Sequence, residues 1–287
     1  MKVIDSIDVD FYRSRHPDLA HFDEAEARAH YETYGRHEGR APCAGAAREE
    51  FLAFIPRHGP ILEIGPFAQP ALSGPTVKYA DMLSTAQLRQ RAPQHGLNPD
   101  TCPEIDYVLS EVPLGRIGDR FDSVFSSHCI EHQTDLIEHL RAVDDLLLPG
   151  GAYYVIVPDK RYCFDHFTPE TTIADVVAAH AEKRTTHSLV SLVKHAALQA
   201  HNDSQRHWCG DHGEPAIRNG RGGVDDMIAA HAAAHGTYID CHAWQFTPAS
   251  FAEIHTQLVE LGYVRLQLAV VYPTLAGRNE FCAIFRK

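Results

Sequence analysis

The sequence predicts an α/β fold built on a parallel sheet with crossover helices. Three observations carry this. Short apolar runs of strand length alternate with helix-length periodic stretches from about residue 60 onward, the pattern of strands joined by helices across a sheet. The run Ile61-Leu62-Glu63-Ile64 runs straight into Gly65-Pro66-Phe67, an apolar strand closed by a glycine turn. The chain also ends on a well-marked helix followed by two β-branched or aromatic runs.

The elements follow in order. Residues 1–45 read as a helical preface, with Phe11, Tyr12, Leu19 and Phe22 as anchors. Its clearest helix is 23–31, whose acidic start suits the helix dipole. Gly35 and Gly39 punctuate its end. Strands are expected at 61–64, 77–83 and 107–109, around 123–125, and at 153–157, the last entered through Gly150-Gly151. A short helix around 70–72 is expected between the first two. Leu136, Ile137, Leu140, Val143 and Leu147 recur at helical spacing before the fifth strand. Thr247 and Pro248 suit the N-cap and first position of a last helix. Phe251, Ile254, Leu258 and Leu261 form its apolar stripe and Gly262 ends it. Strands over 264–272 and 281–285 complete the chain. Residues 46–287 thus form one domain after the 1–45 segment, interrupted at 159–246 by a block rich in His, Asp, Asn and aromatics. An insertion of that length at the carboxyl edge of a parallel sheet reads as a substrate lid.

Composition narrows the function classes. The 287 residues are 44% hydrophobic and 22% charged, enough for a substantial core. The net charge of −12 argues against a nucleic-acid enzyme, since phosphate binding draws on Lys and Arg. Seven dispersed Cys with no Cys-x-x-Cys pair suit a reducing cytoplasm. No run approaches the roughly 18 apolar residues of a membrane span, and the first six residues do not read as a signal peptide.

Taken in order, the Gly65 turn, Phe121-Asp122-Ser123-Val124-Phe125, Ser126-Ser127-His128-Cys129-Ile130-Glu131-His132, Leu148-Pro149-Gly150-Gly151 and the closing helix with two strands resemble the core of a class I S-adenosylmethionine (SAM) methyltransferase. The resemblance covers roughly 60–158 and 247–287. It implies a seven-stranded, mostly parallel sheet with the last strand antiparallel and helices on both faces. The chain departs from the family in its turn, where Gly65 is followed by Pro66-Phe67-Ala68-Gln69-Pro70 and not by further glycines. The N-terminal segment and Tyr238-Ile239-Asp240-Cys241-His242-Ala243-Trp244 are similar to bacterial methyltransferases of surface-glycan or natural-product synthesis.

The resemblance also implies a SAM site. Gly65 allows the tight turn after the first strand, and Phe67 packs over the cofactor. Glu63 steadies its amino-acid end, Asp81 with neighbouring Met82 accepts the ribose hydroxyls, Ser110 and Glu111 lie near adenine, and Ser127 and His128 face the methionine part. Glu131 and His132 are expected to open the next helix and bond locally.

Methyl transfer requires a nucleophile aligned with the S–CH₃ bond, dry surroundings and often a base. The expected base is His212, positioned by Asp211, with His166 and His242 as alternates. Neutral imidazole suits deprotonation of a hydroxyl or amine near neutral pH. Trp208 and Trp244 are candidate acceptor walls. His207-x-Cys209-x-x-His212 has metal-ligand types, and His231 and His235 stand four apart on an expected helix. Neither is a complete metal signature, so no metal is expected. The sequence therefore reads as a cytoplasmic SAM-dependent methyltransferase acting on a small-molecule or glycan acceptor, with no nucleic-acid or membrane partner. The alternative is a non-catalytic methyltransferase fold or a His-rich metal-binding protein. A nicotinamide-dependent dehydrogenase is disfavoured by the missing Gly-x-Gly-x-x-Gly spacing.

Overall fold

The structure, a computed structural model, describes residues 2–3 and 7–287, with only the backbone described for 2–3. Most of the segment read as no signal peptide therefore lies outside the described residues. Eight strands form one sheet: β1 (Lys2–Val3), β2 (Ile61–Ile64), β3 (Val77–Asp81), β4 (Tyr107–Val108), β5 (Phe121–Ser127), β6 (Leu147–Pro158), β7 (Gln267–Val271) and β8 (Glu280–Arg286). Their order across the sheet is β1-β7-β8-β6-β5-β2-β3-β4. The β4-β3-β2-β5-β6 half is wholly parallel, and β8 lies antiparallel between β6 and β7. This is the mostly parallel sheet with an antiparallel last strand that the resemblance implies. It gains an eighth strand, because residues 2–3 of the supposedly helical preface pair with β7.

Helices pack around the sheet, in the preface and in the insertion. They are α1 (Val9–Arg15), α2 (Glu24–His30), α3 (Arg48–Ala53), α4 (Thr85–Arg91), α5 (Leu136–Leu146), α6 (Ile173–Ala181), α7 (Leu189–Leu198), α8 (Ser204–Trp208), α9 (Gly222–Ala234) and α10 (Pro248–Glu260). Strand alternation divides the core into two layers. Leu62, Val124, Tyr153, Val155 and Val157 point to the face covered by α5, α6 and α10. Ile61, Phe125, Tyr154 and Ile156 point to the face covered by α3 and Tyr272. Residues buried on both faces explain why the parallel strands read as continuous apolar runs. The preface keeps a small core of its own around Tyr12, Leu19 and Tyr31. Gly35 is required there, because a Cβ would fall 1.9 Å from the Tyr12 hydroxyl oxygen.

The last helix follows its sequence signals closely. Thr247 caps the Ser250 N–H in a reciprocal capping box with Pro248 at the first position. Phe251, Ile254 and Leu258 are buried, each worth roughly 1.5–3 kcal/mol on the usual scale. Leu261 is not part of that stripe: it is 61% exposed at the C-cap, before Gly262 closes the helix in a left-handed conformation with φ +74°.

Several boundaries differ from expectation, each for a local reason. No helix forms at 70–72. Prolines 66, 70 and 75 lack N–H donors, and the Glu63 carboxylate accepts the Ala71 and Leu72 N–H groups at 2.8 and 2.9 Å. The second strand stops at Asp81 instead of 83, because the Asp81 carboxylate turns the chain by accepting the Leu83 N–H. Glu131 and His132 sit in a separate turn, Ile130–His132, and α5 begins only after its own N-cap, Asp135. His235 does not share a helical face with His231, because α9 ends at Ala234 and His235 turns left-handed. The neck of the insertion is pinned by a bridge between Asp159 and Phe246. Among the described residues no helix is long and apolar enough to cross a membrane.

Candidate cofactor and acceptor site

From β2 the chain steps outward to β3 and β4, then returns to the other side of β2 to lay down β5 and β6. The carboxyl ends of β2 and β5 therefore flank a topological switch point, where open α/β sheets hold ligands. A cavity of about 520 Å³ opens there, lined by Gly65, Phe67, Asp81, Met82, His128 and Cys129 among others. A second cavity, between α6, α7 and 242–245, holds only about 190 Å³, too little for a nucleoside-sized ligand, which calls for roughly 300 Å³ or more.

Local backbone shapes the larger cavity. Gly65 takes φ +71°, and a Cβ there would stand 3.4 Å from the Cys129 sulfur. Phe67 and His128 also take positive φ, 45° and 49°, a left-handed geometry unfavourable for side-chain-bearing residues. Non-glycine residues held this way cluster at ligand sites. Asp81 is buried, and burial raises its carboxyl above the usual range. Its two oxygens accept the Phe67 and Leu83 N–H groups at 3.3 and 3.2 Å. A carboxylate has about four acceptor positions, so acceptor capacity remains for a vicinal diol. Volume, the open backbone at Gly65 and the spare acceptors of Asp81 together fit SAM.

The expected cofactor residues divide. Gly65, Phe67, Asp81, Met82 and His128 line the cavity. Glu63 does not. It is buried on the opposite side of β2, where burial raises its carboxyl to about 7 although the two loop N–H groups pull it down, and it shapes the 66–72 loop from behind. Ser127 points to the other sheet face, where its hydroxyl accepts from Arg48 at 2.8 Å. Ser110 and Glu111 fall in an exposed turn after β4 and are not among the lining residues. The cavity instead gains Leu83, Leu88, Arg91 and His95, with His95 set edge-on to Phe67 at 5.4 Å. These come from the turn after β3, α4 and the turn after it, segments without a motif of their own.

The expected base does not reach this cavity. Asp211 does not position His212. Its carboxylate accepts from Arg206 at 2.8 Å and from the Gly213 N–H at 3.2 Å, because neighbouring side chains leave an irregular backbone in different directions. His212 shares a nitrogen–nitrogen hydrogen bond of 3.0 Å with His207 and stacks on His166 at 3.7 Å. His166 bonds the Arg161 carbonyl. Neither His166 nor His212 is among the lining residues. Trp244 is largely buried, donates to the Gln133 carbonyl and lines the smaller cavity, not the larger one. Trp208 is stacked on Tyr162 at 3.9 Å.

Besides His95, two histidines line the cavity, His128 and His132. His128, at the end of β5, is bonded through Nε2 to Glu280 Oε2 at 2.8 Å. Arg48 grips both oxygens of Glu280 at 2.9 and 2.7 Å. Burial pushes the Glu280 carboxyl upward, but the His128 ring and the Arg48 guanidinium outweigh it and hold the pKa near about 2. An ionised Glu280 accepts, so His128 carries its proton on Nε2 and presents the Nδ1 lone pair. His132 Nδ1 donates to Asp240 at 2.9 Å, and Asp240 also accepts from the Tyr238 hydroxyl at 2.8 Å. Asp240 and Tyr238 belong to the insertion and line the same cavity. The other alternate base, His242, is buried and bonded through Nδ1 to Asp165 at 2.5 Å.

No family model and no curated protein matches the chain. Among solved structures it is similar to the CcbJ methyltransferase from Streptomyces caelestis, at 15% identity over 82% of this chain and 92% of that one, TM-score 0.40. It is similar to a SAM-dependent methyltransferase from Aquifex aeolicus at 10% identity, over 84% and 89% of the two chains, TM-score 0.39. A third likeness is a SAM-dependent methyltransferase from Mesorhizobium loti, at 15% identity over 85% and 99%, TM-score 0.34. At these levels the likenesses stand beside the strand order and the cavity, which carry the assignment of the fold and the site.

Proposed function

We propose that the protein is a SAM-dependent methyltransferase that methylates a hydroxyl or amine of a small molecule or sugar. The observation that carries this reading is the Asp81 cavity at the switch point of a methyltransferase-type sheet. When bound, SAM supplies a methyl group already activated on a sulfonium. The residues around it need only bind, orient and deprotonate. Asp81 receives the ribose diol, the Gly65–Phe67 turn passes under the amino-acid end, and Met82, Leu83 and Leu88 wall the adenine. The insertion closes the acceptor side with Tyr238 and Asp240.

The proton acceptor in this reading is His128 and not His212. Its Nδ1 lone pair is free of hydrogen bonds to the protein, and Glu280 fixes its tautomer, itself held by Arg48. Such a positioned base typically contributes 10²–10⁴-fold. The acidic charge of the chain favours an acceptor other than nucleic acid. Two measurements test the reading. Calorimetric titration with S-adenosylhomocysteine (SAH) should show one site. Incubation with SAM and a panel of sugars and phenolic or amino scaffolds should yield a methylated product by mass spectrometry. Absence of SAH binding contradicts the proposal.

A further inference from the structure

Beside the cavity lies a buried carboxylate with nothing to bond. Glu131 is 0% exposed, and neither of its side-chain oxygens has a hydrogen-bond partner among the described residues. Leaving an ionised group so placed costs several kcal/mol unless a partner compensates it. Three imidazole nitrogens face Glu131 Oε1: His132 Nε2 at 3.7 Å, His242 Nε2 at 3.8 Å and His128 Nδ1 at 3.8 Å, of which the first two group with Glu131 as a ligand set. These distances exceed the 2.7–3.2 Å of an N–H···O bond. They approach the roughly 3.3–3.5 Å that separates ligand atoms around a tetrahedral ion at about 2.0–2.1 Å from each. The ligand atoms of Glu131, His132 and His242 all lie within 4.8 Å of one another.

The outer nitrogens complete the pattern. His132 Nδ1 is bonded to Asp240, and His242 Nδ1 to Asp165. A carboxylate on the far nitrogen fixes the tautomer, so that the near nitrogen offers its lone pair, and this is the usual support of a metal-bound histidine. The other histidine cluster has no carboxylate bonded to its rings among the described residues: His207 and His212 bond each other, and the second nitrogen of His207 faces a backbone carbonyl.

We propose that Glu131, His132 and His242 bind one divalent first-row transition ion of the four-coordinate Zn²⁺ class, with Asp240 and Asp165 as outer supports. Two imidazoles and one carboxylate suit these ions better than Mg²⁺ or Ca²⁺, which take mainly oxygen ligands. His132 lines the cavity, so an ion held by this set would stand at the edge of the acceptor space. An acceptor oxygen held there is acidified by the ion, beside the Nδ1 of His128, which stands 3.8 Å from Glu131 Oε1. That role rests on the methyltransferase reading. The binding itself does not.

The full-length protein is stripped with chelator, reconstituted with Zn²⁺, desalted and assayed by elemental analysis and calorimetry. One equivalent per chain is expected, with affinity lowered about 100-fold or more in Glu131→Gln and His242→Gln and about 10–100-fold in Asp165→Asn. His207→Ala should change nothing. Zn²⁺ should raise the Tm of the wild type and leave that of Glu131→Gln unmoved. Co²⁺ loaded into the wild-type chain should give the intense visible band of a four-coordinate site, which remains decisive if Glu131→Gln fails to fold. No Zn²⁺ uptake by the wild type, uptake unchanged in Glu131→Gln, uptake lost in His207→Ala, or a weak six-coordinate Co²⁺ spectrum would each overturn the proposal. SAH titration on the same samples reports the methyltransferase reading separately.

Discussion

The two histidine clusters of this chain are built from similar residues but held in different ways. Around Glu131, the rings of His128, His132 and His242 come from β5, the turn after it and the end of the insertion, and each is tied through its far nitrogen to a carboxylate. Around His212, the rings of His166, His201 and His207 stack on one another and bond backbone carbonyls or each other. The first arrangement aims lone pairs inward at one point. The second spends them within the cluster. Residue type alone does not separate the two clusters, whereas the carboxylates on the second ring nitrogens do.

The largest effect expected from this difference is on turnover. With a methylatable acceptor in hand, His128→Ala should lower the rate of SAH release by about 10²–10⁴-fold while SAH affinity stays within a few-fold. His212→Ala should change the rate by less than about twofold. A large loss in His212→Ala with little in His128→Ala would reverse the comparison.

The next effect is on stability. Glu280 joins β8 to His128 and to Arg48 on α3. His128 and Arg48 hold its carboxyl at about 2, below the ordinary glutamate value of 4.5. The stability it contributes, on the order of 3 kcal/mol, is therefore present above about pH 4.5 and is lost as pH falls toward 2. Glu280→Gln should lower the urea-unfolding free energy by about 1–3 kcal/mol at pH 7. It should also reduce turnover, whereas Asp211→Asn, on an exposed pair with Arg206, should shift stability by less than about 0.5 kcal/mol.

Two histidines outside both clusters set a further pH dependence. His139 on α5, bonded to the Tyr153 hydroxyl, and His255 on α10, bonded to the Leu266 carbonyl, are each lowered to about 4 by burial. Unfolding exposes rings that take up a proton near 6.5. Both groups therefore favour the fold above about pH 6.5, and that contribution is lost as pH falls from 6.5 toward 4. Urea melts at pH 7 and pH 5 should show the loss, and His139→Gln should make it shallower. An unchanged slope would mean that the ring is not buried in neutral form.

Elements with local signals were legible in the sequence. The apolar run of β2, the α5 periodicity and the Thr247–Pro248 start of α10 each announce themselves within a few residues. The ordered motifs implied the sheet and its antiparallel close. Side-chain direction was not legible. Ser126 and Ser127 are adjacent in a strand buried on both faces, so nothing in their pattern tells that Ser126 meets Tyr153 and Ser127 meets Arg48. The Arg48–Glu280 pair spans 232 positions and leaves no local trace. Asp211 beside His212 looked like a positioned base only because chain neighbours were taken for spatial ones. The carboxylates that do orient histidines, Glu280, Asp240 and Asp165, are 152, 108 and 77 residues from their partners.

Calorimetric titration of SAH into the wild type and into Asp81→Ala tests the central claim most directly. One site in the wild type, weakened about tenfold or more in Asp81→Ala with the fold intact by circular dichroism, is the predicted result. No binding to the wild type, or equal binding to both proteins, would contradict a SAM site at the Asp81 cavity.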